Sequence, residues 1–146
     1  MFTEGIVLYI SPFNFKNGNT SKNKYFIVLK VVANQIIIAS LPTRSNKSPA
    51  LITTEHGCNN DADRCFNCYA FQANRVITDS GFAFPINTYV YGNEVEDYQL
   101  TTLNSTYQIE GVDYEVMGTI TSTEYTELVS CLKMSTSIRR GIKRYL

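Results

Sequence analysis

Two apolar, β-branched runs, Lys24 to Ala33 and Gln35 to Leu41, stand almost back to back, separated by little more than Asn34-Gln35. That spacing suits a tight antiparallel hairpin and little else, so the chain is committed early to β-structure. Pro42 ends the second run because it cannot donate a ladder hydrogen bond, and Thr43 to Ser48 follows as a polar, cationic loop. Ahead of the hairpin, Gly5 to Ile10 reads as a strand ending at Ser11-Pro12, and Phe13 to Asn23 reads as a long polar loop. Further short strands are expected at Leu51 to Thr54, Tyr69 to Ala73, Thr88 to Tyr91 and Tyr114 to Met117, spaced by Gly, Asn and Asp clusters. Ten Tyr and eight Phe reinforce the β bias. Many short strands without helices between them predict a mainly β fold, a small barrel or sandwich, and 146 residues with 44% hydrophobic positions suffice for one domain and one core.

Helical periodicity appears only near the end. Tyr125, Leu128, Val129 and Leu132 fall at i, i+3, i+4 and i+7, with Thr121 and Glu124 placed for a capping box. Beyond Ser135, Ile138, Ile142, Tyr145 and Leu146 share one side of a second stretch, and Arg139, Arg140, Lys143 and Arg144 share the other. No apolar run reaches the roughly 20 residues that cross a bilayer as a helix. The brief apolar run Ile6 to Ile10, with no basic residue before it, lacks the form of a secretory signal, so the expected location is the cytoplasm.

The formal net charge is zero, but the charge is sorted along the chain. Residues 1–50 sum to +5, residues 51–127 to −10, and residues 128–146 to +5. If folding brings the two ends together, one face attracts a polyanion. The competing reading pairs the opposite charges within the fold.

The only histidine, His56, and three of the four cysteines, Cys58, Cys65 and Cys68, lie within thirteen consecutive residues. Three thiolates and one imidazole form the set that closes a tetrahedral structural zinc site with no open position for catalysis. Two alternatives remain: buried free thiols acting as small hydrophobes, and a disulfide, which an intracellular chain disfavours. Cys131 sits near the apolar side of the expected helix and reads as core.

Several segments together resemble the PemK/MazF-like toxin family. Gly5-Ile6-Val7-Leu8-Tyr9-Ile10 is similar to that family's opening strand, and Lys24-Tyr25-Phe26-Ile27-Val28-Leu29 to its second. Ile36 to Thr43 looks like the strand that delivers an active-site hydroxyl, and Met117-Gly118-Thr119-Ile120-Thr121 with Leu128 and Leu132 like its closing strand and helix. The resemblance covers about half of the chain. It implies an SH3-like barrel that cuts single-stranded RNA without metal, by attack of a 2′-hydroxyl on the adjacent phosphate. It also implies a small antitoxin protein as partner and a homodimer. Carried over by position, Lys24 supplies the cation and Thr43 the hydroxyl, with Ser45 as a second hydroxyl. Lys24 replaces the family's arginine, Tyr25 its proline and Ile6 its acid, and an ammonium is a point charge where a guanidinium is a fork. Arg44 is placed to supply the missing fork.

The inventory bounds the chemistry from the other side. One histidine cannot provide the acid and base pair of a two-histidine ribonuclease, and no phosphate-binding glycine loop or nucleophilic triad spacing is present. Charge-stabilised phosphoryl transfer by Lys24, Thr43, Arg44 and Ser45 is what remains, against a bland reading of edge charge and solvated turn. Aromatics such as Phe13, Phe15 and Tyr25 interleave with Lys16, Lys22 and Lys24, a pattern for stacking bases while cations hold phosphate; Arg139, Arg140, Lys143 and Arg144 add a second candidate phosphate surface. A non-catalytic barrel binding RNA or a protein is the alternative function.

Overall fold

A computed structural model describes residues 2–15, 18, 20, 22–41 and 55–146. Among them eight strands form two antiparallel sheets. In chain order these are β1 (Ile6–Phe13), β2 (Lys22–Val32), β3 (Gln35–Leu41), β4 (Gly57–Asp61), β5 (Phe66–Phe71), β6 (Thr88–Val90), β7 (Val95–Gln99) and β8 (Tyr114–Thr119). Three helices accompany them: α1 (Leu100–Thr106), α2 (Ser122–Lys133) and α3 (Arg140–Lys143). The larger sheet has the order β7-β3-β2-β1-β8, and the smaller β4-β5-β6. The mainly β expectation with C-terminal helices is what the chain adopts. The described strands remain two sheets and do not close into one barrel.

The expected hairpin is β2–β3, with Val32 paired to Gln35 across Ala33-Asn34. Ala33 carries φ +51°, the left-handed conformation that such a two-residue turn demands and that a Cβ makes costly. Because successive side chains alternate, the large sheet buries both faces. Val7, Ile27, Leu29, Ile37, Ala39 and Leu41 point into one core, shared with the small sheet (Tyr69, Phe71, Val90) and with α2 and α3 (Leu128, Leu132, Ile142). Leu8, Ile10, Phe26, Val28, Ile36 and Ile38 point the other way, onto Phe2, Phe13 and the α1 region at Leu103 and Tyr107. The extra residue Leu29 in β2 interrupts the ladder between Val28 and Lys30, and by this bulge Val31 rejoins the second core.

Three sequence expectations need correction. β1 does not stop at Ser11-Pro12 but bulges through it to Phe13, which is wholly buried; a proline is tolerated where the ladder is already interrupted. β4 and β7 form where none was expected. Gly57-Cys58-Asn59-Asn60-Asp61 and Val95-Glu96-Asp97-Tyr98-Gln99 are poor strand formers alone, and each is held by a neighbour, β5 and β3 respectively. The strand expected at Leu51 to Thr54 lies outside the described residues. At the other end the helix begins as read. Thr121 Oγ1 accepts the N–H of Glu124 at 3.3 Å, capping α2, while the Glu124 carboxylate turns away from the cap. No helix among the described residues is long and apolar enough to cross a membrane.

Candidate functional site

Lys22 and Lys24 alternate with Phe26 and Val28 on one face of β2, so their ammonium groups stand at the end of the second core where its apolar filling stops. A groove of about 490 Å³ opens there, lined by Phe15, Lys22, Lys24, Ser40, Glu94 and Tyr98 among others. Ser40 comes from β3, and Glu94 ends a 3-10 turn, Gly92–Glu94, leading into β7. Ser40 is buried and its hydroxyl donates to Glu94 Oε2 at 2.9 Å, which fixes the carboxylate's direction. Lys24 Nζ lies 5.6 Å from the centre of the Phe15 ring, a cation over an aromatic face. That ring is braced edge-on by buried Phe13, centroids 5.2 Å apart, and the Asn14 N–H beside it donates to the Tyr107 hydroxyl at 2.9 Å. Burial raises the Tyr107 pKa from its ordinary value, so that hydroxyl keeps its proton.

Glu96 also lines the groove, and Arg139 neutralises it at 2.7 Å while reaching Asp97 at 2.9 Å. The groove thus presents two lysines against Glu94 and Glu96, and Glu96 shares its arginine partner with Asp97. An anion fits at the lysine end.

The remaining expected residues separate. Tyr25 lies on the opposite face of β2 from Lys24, its ring packed on Tyr9 at 4.9 Å and Phe84 at 5.3 Å, and burial raises its pKa. It is therefore a core-edge ring and shares no surface with the groove cations. The C-terminal cations are largely taken up by the chain itself: besides Arg139, Lys143 Nζ donates to the Ser135 carbonyl at 2.8 Å and Arg144 covers the Tyr145 ring at 4.9 Å. Arg140 and Arg144 are both exposed with no ion-pair partner among the described residues. Thr43, Arg44, Ser45 and Lys16 lie outside the described residues.

The proposed zinc set does not converge. Cys58 Sγ is bonded to Cys131, Cα atoms 5.4 Å apart, and Cys65 and Cys68 are free thiols. The reason is strand alternation. Cys58 pairs across from Tyr69 and shares its face, while Cys68, one residue earlier in β5, points to the other with Ala70 and Tyr89. Among the described residues no cluster of His, Cys, Asp and Glu is arranged to hold a metal ion.

His56 instead joins a buried polar network. Its Nε2 lies 2.7 Å from Glu124 Oε1, and its Nδ1 accepts the Gln72 N–H at 3.1 Å, which puts the ring proton on Nε2 facing the carboxylate. Tyr69, wholly buried, donates its hydroxyl to the same Glu124 oxygen at 2.6 Å. Burial first, and then the Glu124 hydrogen bond, drive the Tyr69 pKa strongly upward. With both nitrogens engaged, His56 is built to hold β4 and β5 against α2.

Sequence reading missed Ser40 and Glu94 in the groove and Glu124 as the partner of His56. Ser40 alternating with Ile36 and Ile38 placed a hydroxyl on a buried face, which was a signal; Glu94 and Glu124 meet their partners over 54 and 68 residues and left none. No protein-family model, curated protein or solved structure matches the chain.

Proposed function

We propose that the chain binds single-stranded RNA in the Lys22–Lys24 groove and cuts it without metal. One observation carries the reading: two ammonium groups with no ion-pair partner among the described residues, a half-buried aromatic ring and a hydroxyl-oriented carboxylate meet in a single groove. A phosphate between Lys22 and Lys24 would be held by charge while its base stacks on Phe15. Glu94 is the group available to take the proton from the 2′-hydroxyl. The 2′-oxygen then bonds to phosphorus, the bond from phosphorus to the 5′-oxygen breaks, and water protonates the leaving oxygen, giving a cyclic phosphate and a 5′-hydroxyl. Lys24 stabilises the charge that develops on the phosphoryl oxygens. The resemblance adds Thr43, Arg44 and Ser45 to the same chemistry, a cytoplasmic location, and an antitoxin protein or second copy as partner.

A binding-only module is the second reading, favoured because Ser40 already occupies one oxygen of Glu94 and weakens it as a base. Purified protein incubated with single-stranded RNA in chelator, beside Lys22→Ala/Lys24→Ala and Glu94→Gln, separates the two. Cleavage lost in both variants supports the enzyme, whereas salt-dependent binding without cleavage, lost only in the lysine variant, supports the module. Wild-type protein that neither binds nor cuts RNA removes both.

A further inference from the structure

The two sulfurs of the Cys58–Cys131 bridge stand in unlike surroundings. Cys58 is exposed and lines an open hollow of about 460 Å³ at the β4–β5 turn, beside Asp61 and Asp63. Cys131 is buried in the main core at 1% exposure. Asn67 attends the buried sulfur: its amide Nδ2 donates to the Cys131 carbonyl at 3.0 Å, to Asn60 Oδ1 at 3.0 Å, and lies 3.7 Å from Cys131 Sγ. The other end of that amide, Oδ1, is buried with no hydrogen-bond partner among the described residues. An orphaned buried acceptor is costly, and here it belongs to an amide with one N–H directed at the cysteine and the other at Asn60.

We infer that Cys58–Cys131 is a thiol-exchange site, opened by a dithiol that enters the hollow and attacks the Cys58 sulfur. The entering thiolate bonds to Cys58 Sγ. The bond between the two cysteines breaks, and its electron pair leaves on Cys131 Sγ, 3.7 Å from the polar Asn67 amide nitrogen, where the sulfur takes up a proton. The reagent's second thiolate then displaces Cys58, which is protonated in turn, and the reagent departs as its own disulfide. The chain gains two electrons and two protons. Neither free cysteine substitutes for the external thiol in this scheme. Cys68 points to the opposite face of the small sheet, with burial pushing its thiol up to about 11, and Cys65 occupies the turn beyond. Asp61 and Asp63 set a preference, because their charge opposes an anionic thiol such as glutathione more than neutral dithiothreitol.

The consequence is mechanical. The bridge closes a loop across 73 residues and ties β4 to α2, which is otherwise bonded to the small sheet through Asn67 and Tyr69 of β5 and through His56 just ahead of β4. Opening it releases that loop in the unfolded chain and lowers the melting temperature by about 10 °C.

The test is thiol titration of the native chain purified in air without reductant. The chain is treated with or without dithiothreitol under native conditions, acid-quenched, freed of reagent and only then unfolded for counting, because Cys68 and Cys131 are buried; two thiols are expected without dithiothreitol and four with it. Under glutathione, more slowly, a mixed disulfide forms that peptide mapping places on Cys58. Asn67→Ala should slow the opening several-fold, and Cys58→Ser should melt at the temperature of the reduced wild type whether or not reductant is present. Four thiols at the outset, opening only after denaturation, or glutathione mapped to Cys131 would each overturn the inference. Titration and mapping use the wild-type chain, so they decide the matter even if a variant fails to fold.

Discussion

Replacing Glu124 by alanine removes one carboxylate that serves three purposes, and the size of the loss can be worked from the structure. Its side chain is 12% exposed and that of His56 7%, while Tyr69 is fully covered, so the groups left behind cannot readily turn to water. Hydrogen bonds to a charged acceptor contribute about 1.5–3 kcal/mol each, and two are lost, from His56 and Tyr69. A carboxylate in the first turn of α2 adds about 0.3–1 kcal/mol through the helix dipole. Partial rescue of the Tyr69 hydroxyl by Glu127, at 3.5 Å, trims the sum. The expected loss is about 3–5 kcal/mol, which at an m-value of about 2 kcal/mol/M moves the urea midpoint down by about 2 M. Glu124→Gln, which keeps an acceptor oxygen, should lose less than half as much. A double-mutant cycle with Tyr69→Phe sharpens the claim, because the double variant leaves no orphan at Tyr69, only the one at His56: a coupling of at least about 1 kcal/mol is expected. A loss below about 1 kcal/mol for Glu124→Ala, with additive behaviour in the cycle, would refute the picture of a buried network.

Ala33→Gly should raise stability by about 0.5–1 kcal/mol in urea melts, since φ +51° strains any residue with a Cβ and glycine's greater unfolded freedom offsets only part of the relief. Gly92→Ala should lower it by about 1–3 kcal/mol, because a methyl there would collide with Ser135 Oγ and stand 2.9 Å from Ile138 Cγ1. Burial raises the Cys68 thiol from 9.0 to about 11, so the folded chain keeps a proton that the unfolded chain loses between those values. The associated stability, about 2–3 kcal/mol, is fully present below pH 9 and vanishes as pH climbs to 11; denaturation at pH 8 and pH 10.5, with a shallower slope in Cys68→Ala, checks it. In RNA binding, each of Lys22→Ala and Lys24→Ala should reduce the slope of log affinity against log salt by about 0.7.

The parts of the fold legible in the sequence are those governed by neighbours along the chain. The β2–β3 hairpin follows from two apolar runs and a short turn, α2 from its periodicity and Thr121 cap, and the burial of Ile138 and Ile142 from their shared side. β4 and β7 were illegible because their residues do not favour strands and their pairing is imposed from outside. The groove was half legible. Lys24 could be placed by alternation within its strand, whereas Lys22 reads in the sequence as part of the preceding loop and Glu94 enters from a segment whose approach depends on β7 docking at the sheet edge. The cysteines show the same limit: one histidine and three cysteines in thirteen residues suggested a local cluster, and the actual partner of Cys58 lay 73 residues away on a helix.

The position of β1, flanked by β2 on one side and by β8 on the other, with Ile6 opposite Thr119, sets the order in which the molecule can be finished. During synthesis the first strand can zip onto the hairpin once Leu41 has emerged, yet its second edge stays open until the chain has grown on to Thr119. For that interval the nascent chain carries an unsatisfied row of amides and carbonyls flanked by Val7, Leu8 and Ile10. Slow translation through the middle of the message should therefore lengthen the period in which this chain is most prone to join another copy of itself, and a fragment ending before β8 should aggregate where the whole chain does not.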